Sequence, residues 1–213
     1  MDVALQIRLL FLGGLMAMGS LALGAGFVLS RLMHRREVWR ACAMFSRVVE
    51  QLEVTPDVLR ALLSHLSAAE ADWKPAPQRF SVAEVVAHLC DTETQVFRTR
   101  VHRMVDEDGP QLDAYDQEAI AAAGGYAAQS AQETLKNFQQ HRTDNLAYLR
   151  NLPAEVANRV GIHPELGQIT LAQLLNEWAF HDLGHLRQIA ELLRAHRFYP
   201  QLGAFQKYYT VNP

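Results

Sequence analysis

Cysteine is scarce in this 213-residue chain: Cys42 and Cys90 are the only two. They build no disulfide framework, and such sparing use fits a reducing compartment. A basic excess is missing as well, since 20 Lys and Arg stand against 23 Asp and Glu for a formal net charge of -3. With no Lys/Arg stripe either, no nucleic-acid partner is expected. Sustained apolar/polar alternation is absent, which leaves little strand signal. No internal repeat or low-complexity linker interrupts the chain. What is there is 49% hydrophobic and 20% charged, the balance of a folded globular protein. The length suits one domain of ordinary size with room for an extra segment.

That extra segment is residues 1–43. From Leu9 to Ser30 no side chain is charged, and such a run is long enough for a membrane-spanning helix, which needs roughly 20 apolar residues. Five glycines in it (Gly13, Gly14, Gly19, Gly24, Gly26) lower helix propensity, a cost that membrane helices tolerate. Arg31, Arg35, Arg36 and Arg40 follow the run and only Arg8 precedes it. The positive-inside rule then puts the following domain in the cytoplasm, anchored to the inner membrane by residues 9–30. Two other readings stand beside this one: a true start at Met44, which makes the protein simply cytoplasmic, and a cleaved signal peptide.

Residues 44–213 read as one helical domain. Phe45 to Leu52 is amphipathic, and Thr55-Pro56-Asp57 looks like a fresh helix start, because Thr caps, Pro suits the first turn and Asp favours the dipole. Leu59, Leu62, Leu63 and Leu66 follow at helical spacing. Ser81-Val-Ala-Glu84 is a capping box for a second helix with Val82, Val85, Val86, Leu89, Val96 and Phe97 on its apolar side. Gly109-Pro110 ends it, and residues 106–128 form a long connection. Ser130-Ala-Gln-Glu133 opens a third helix with Leu135, Phe138, Leu146 and Leu149 inside. Thr170-Leu-Ala-Gln173 opens a fourth, striped with Leu171, Leu174, Leu175, Trp178, Leu186, Ile189 and Leu193 and running to about His196. The expected fold class is all-α, a four-helix bundle with long crossover connections preceded by the N-terminal hydrophobic helix.

The chemistry gathers on the fourth helix. His181 and His185 stand four apart, on one face, where two imidazoles can share a cation. They lie on or beside the stripe that enters the core, and a buried imidazole needs partners for its nitrogens. The bland alternative is a pair of seam histidines bonded to neighbours. A metal site usually needs three or four ligands, and His88, beside Val85 and Leu89 on the second helix, is the candidate third. Asp91, three after His88, and Glu177, one turn before His181, are candidates to orient a ligand imidazole or accept a proton, although both also read as solvated helix charges. Gln188, three after His185, can bond a ligand or the substrate. Glu84 belongs to its capping box, and Cys90 reads as a packed thiol.

The segment Trp73–Glu93, W-K-P-A-P-Q-R-F-S-V-A-E-V-V-A-H-L-C-D-T-E, resembles the DinB/YfiT-like superfamily, whose members carry a tryptophan, a helix start of the W/F-S-x-x-E type and then H-L with acidic residues after it. The segment H-D-L-G-H-L-R-Q, residues 181–188, is similar to the second signature, H-x-x-x-H followed by Gln. The resemblance covers about Met44 to His196. It implies a four-helix bundle of DinB/YfiT type with a three-histidine metal site, its ligands His88, His181 and His185, and zinc or nickel as the usual metal. It further implies metal-dependent transfer of a low-molecular-weight thiol to a small electrophile, with metal-dependent hydrolysis or a non-catalytic metal- or ligand-binding stress module as alternatives. A small-molecule substrate and a homodimer are the expected partners. A metalloprotease of the H-E-x-x-H kind is disfavoured, because the residue after His181 is Asp182, shorter than Glu, and no third ligand follows in the usual place.

Overall fold

The computed structural model describes residues 33, 35, 37, 38, 40–123, 125, 126 and 129–213. The hydrophobic run at residues 9–30 lies outside them. Among the described residues no helix is long and apolar enough to cross a membrane. The expected transmembrane helix is corrected accordingly, and the anchoring reading is carried no further.

Four long helical stretches build the bundle. The helix through residues 43–63 (α1) is continuous, where the sequence predicts a break at Thr55-Pro56. Pro56 has no N–H, so the Leu52 carbonyl loses its helical donor. The Arg142 guanidinium supplies one instead, Nη1 donating to Leu52 O at 2.7 Å. Thr55 Oγ1 donates back to Gln51 O at 3.2 Å. A side chain from another helix thus bridges the gap in the ladder, and α1 runs on. A short helix, α2 (Ala68–Asp72), follows with its own Ser67–Glu70 capping box.

The Ser81–Glu84 capping box forms as expected, with Ser81 N–H donating to Glu84 Oε2 at 2.9 Å and Glu84 N–H to Ser81 Oγ at 3.2 Å. It opens α3 (Val82–Thr92), which continues through a π-helical turn, Glu93–Arg98, into α4 (Thr99–Asp106). Gly109, at φ 60°, turns the chain away. The long connection holds α5 (Gln117–Ala122). Ser130 is the N-cap of α6 (Ala131–Arg150), but its side chain makes no capping bond, so the predicted second capping box is not formed.

Between α6 and α7 (Leu171–Leu193) the chain makes a small antiparallel hairpin, β1 (Val160–His163) with β2 (Gly167–Thr170). The sequence reading has no strand here. Four residues per strand are too few for alternation to register, and the pairing is fixed from outside the hairpin. Leu112 N–H donates to Ile162 O, and Ile162 N–H to Pro110 O, both at 2.8 Å. Gly161 suits that close crossing, because a Cβ there would stand 3.0 Å from Met104 Cγ and 3.2 Å from Leu112 Cδ1 and both side chains would have to give way. The Thr170–Gln173 box then starts α7 as predicted. One core cluster draws on all four stretches, joining Leu59 and Leu63 to Val85, Leu89, Leu135, Phe138, Leu186 and Ile189. On α7 it is Leu192 rather than the predicted Leu193 that is fully buried.

Candidate metal centre

His88 on α3 and the His181–His185 pair on α7 meet at one point. His181 Nε2 lies 3.1 Å from His88 Nε2 and 3.2 Å from His185 Nε2, and one ligand nitrogen from each ring falls within 4.8 Å of the others. With metal–nitrogen bonds of about 2.0–2.1 Å, a tetrahedral ion holds its ligand atoms ~3.3 Å apart and an octahedral one ~2.9 Å apart. The observed separations sit between those edges. Hydrogen bonding alone serves the arrangement poorly. His181 Nε2 offers one in-plane lone pair or one proton, and two other ring nitrogens face it.

The rings are also in the protonation state that ligates. Burial, with the neighbouring His185 adding, pushes His88 down to about 3. Burial, His185, His88 and Arg142 push His181 down to about 2. Burial lowers His185 as well, against an opposing hydrogen bond from Gln188. All three are neutral at ordinary pH, as metal ligands must be. An imidazole that takes its proton near 6.5 when unfolded but resists it when folded destabilises the fold as pH drops. The unfolded state then binds more protons, at about 1.4 kcal/mol per pH unit per ring. Chelator-treated protein is therefore expected to hold its denaturation midpoint above pH 7 and to lose stability steadily from about pH 6.5 to 5. Urea titrations across that range check this, and a flat profile would contradict it.

Gln188 has the clearest supporting position. His185 Nδ1 donates to its Oε1 at 2.9 Å, which turns the Nε2 lone pair toward the other two rings. The Nδ1 atoms of His88 and His181 are buried with no partner, so Gln188 is the one protein group among the described residues that holds a ring of this centre. Gln188→Leu is expected to weaken metal binding by ~10–100-fold in a chelator competition. An unchanged affinity would show the contact to be idle.

The other expected residues are placed differently. Asp91 bonds no imidazole. Its Oδ2 accepts from Tyr115 O–H at 2.6 Å, and the Tyr126 hydroxyl lies 2.7 Å from that of Tyr115. The two tyrosine rings stand beside His88, with centroids 6.3 and 5.9 Å away. Burial, and for Tyr115 the bond to Asp91, raise both phenols above their ordinary range. Glu177 is exposed on α7 and lines the cleft with His181 and His185. Neighbouring protein raises its carboxyl, while Arg100 pulls it down. Asp182 is turned inward, where its Oδ2 accepts from Arg142 Nη1 at 2.8 Å, so it cannot serve as a base at the histidines. Burial, then Glu93 and Asp91, push the Cys90 thiol up to about 11, which keeps it inert.

A cleft of about 830 Å³ opens in front of His181 and His185. A second, of about 650 Å³, lies between residues 74–80 and α5. Arg79 and Gln188 line both.

Comparison with known proteins finds relatives of the same fold. An Oceanobacillus iheyensis protein that is provisionally named a metal-dependent hydrolase is 23% identical over 146 residues, which span 68% of this chain and 84% of that one. Bacillus subtilis YfiT, described as a probable metal-dependent hydrolase with an unusual four-helix bundle topology, superposes with a TM-score of 0.66 at 24% identity over 71% of this chain and 86% of its own. At that identity the likeness shows the fold. The sequence profile of the DinB superfamily matches residues 51–189, and the chain belongs to that superfamily.

Proposed function

We propose that this chain is a metal-dependent enzyme that delivers a small nucleophile to a small electrophilic substrate, with His88, His181 and His185 holding a divalent ion, zinc or nickel. The convergence of the His88 and His185 ring nitrogens on His181 Nε2, all three rings neutral, carries the reading. A divalent ion held there supplies Lewis acidity and brings the pKa of water or of a thiol near neutrality. The chain's own residues do the rest. Gln188 fixes His185, and Glu177 stands in the cleft with a raised carboxyl, suited to take a proton from the nucleophile. An open cleft with charged walls favours turnover over a closed ligand-binding pocket.

Transfer of a low-molecular-weight thiol is the first reading, because a second cleft, sharing Arg79 and Gln188 with the one before the histidines, offers room for a second small molecule. Hydrolysis is the second, supported by the names of the relatives. The test is incubation of zinc- or nickel-loaded protein with small electrophiles, with and without thiols, and mass analysis of products. A thiol adduct formed only with loaded protein supports transfer, and a hydrolysis product without thiol supports the second reading. No product over background from any metal form would overturn both.

A further inference from the structure

We infer that the substrate carries an anionic group, a carboxylate or a phosphate, held in the cleft before the histidines by Arg187 and by Arg79, which also borders the second cleft. The inference rests on the reading above that the cleft beside the histidines receives substrate. It comes from an account of the polar groups lining the cleft. Glu191 is spent: one oxygen accepts from Asn212 N–H at 2.9 Å, and the other pairs with Arg194. Gln188 has given its carbonyl oxygen to His185, so its amide N–H groups are what it has left to offer. Arg79 and Arg187 line the cleft, both exposed, and neither guanidinium has a carboxylate partner among the described residues. Glu177 lines the same walls, where burial raises its carboxyl against the downward pull of Arg100. Two cationic groups on the cleft wall are thus left without a carboxylate partner among the described residues, and guanidinium matches a carboxylate or phosphate through paired N–H bonds. Because Arg79 and Gln188 border both clefts, an oxyanion bound there lies beside the histidines and leaves the rest of its molecule free to extend either way.

The test uses the full chain, metal-loaded and chelator-stripped, at constant ionic strength. Malonate and inorganic phosphate are the probes, and malonamide is the neutral comparison. The expected result is binding of one oxyanion to the parent and weakening by about tenfold or more in the Arg79→Ala/Arg187→Ala double variant, at unchanged metal content. The tighter of the two probes distinguishes carboxylate from phosphate. Both arginines are exposed, so the variant is expected to fold, and Arg187→Lys should restore part of the affinity. Equal affinity in parent and double variant would overturn the inference, as would equal binding of malonamide or no oxyanion binding at millimolar concentration. Arginine-dependent binding in a parent that takes up no metal would sustain this inference while removing the metal reading. Stoichiometric metal with arginine-independent binding would do the reverse.

Discussion

Arg142→Ala is expected to cost about 3–5 kcal/mol of folding stability, the usual penalty for removing one partner of a buried ion pair. At this domain size that is a fall of roughly 6–20 °C in Tm. Arg142 is 1% exposed and spends its guanidinium on three other helical stretches. Nε and Nη2 donate to the two carboxylate oxygens of Glu93 at 2.7 and 2.8 Å. Nη1 donates to Asp182 Oδ2 at 2.8 Å and to Leu52 O at 2.7 Å. Burial alone pulls its pKa down, but Asp182 and Glu93 overcome this and hold the guanidinium firmly protonated. Its loss leaves two carboxylates in the core and the carbonyl that Pro56 orphaned without a donor. Asn145 and Trp178 bond Glu93 at 3.0 and 3.1 Å, and cannot neutralise it. A triple variant with Arg142, Glu93 and Asp182 all made apolar should cost much less, because no unpaired charge then stays buried. Thermal and urea denaturation of both variants check this. A loss below about 1 kcal/mol in Arg142→Ala would mean that water reaches the network.

His181→Ala should abolish metal binding with little effect on the fold. His181 Nε2 is the atom both other rings face, and two ligands cannot complete the site. The loss of affinity should exceed the ~100-fold that a supporting partner can cost, and activity should go with it. Stability of the metal-free protein should change little, because the ring that is removed carries a buried Nδ1 with no partner. Metal binding by chelator competition, with circular dichroism and Tm of the stripped protein, separates the two effects. Unfolding of stripped His181→Ala would reassign the ring to the core.

The bundle and the His181–His185 pair were legible in the sequence because helical spacing carries them, whereas His88 was read as the third ligand from its place beside Val85 and Leu89 and from the family resemblance. The stripe on α7, the Ser81 and Thr170 boxes and the His181–His185 pair are all local patterns. The partners that come from far along the chain were not legible. Tyr115 and Tyr126 lie in the long connection, where no periodicity marks them, and only the fold brings them to Asp91. Pro56 looks like a helix start until Arg142, 86 positions on, supplies the missing donor. Arg142 and Asn145 did leave a signal: they fall on the buried stripe of α6, in steps of four, three and four from Phe138 to Leu149. Two polar residues on a core face imply a buried network. The short hairpin left none, because its strands are fixed by Pro110 and Leu112 rather than by their own pattern.

The central claim is that three histidines from two helices hold one ion, and His88 tests it most directly because it lies 93 positions from its nearest partner ring. Elemental analysis of the chain, purified without chelator or added metal, beside His88→Ala, is the decisive measurement. Near one equivalent of zinc or nickel in the parent, and almost none in the variant, is the predicted result. An equal metal content in the two, or a parent that takes up no divalent ion when supplied, would contradict the account.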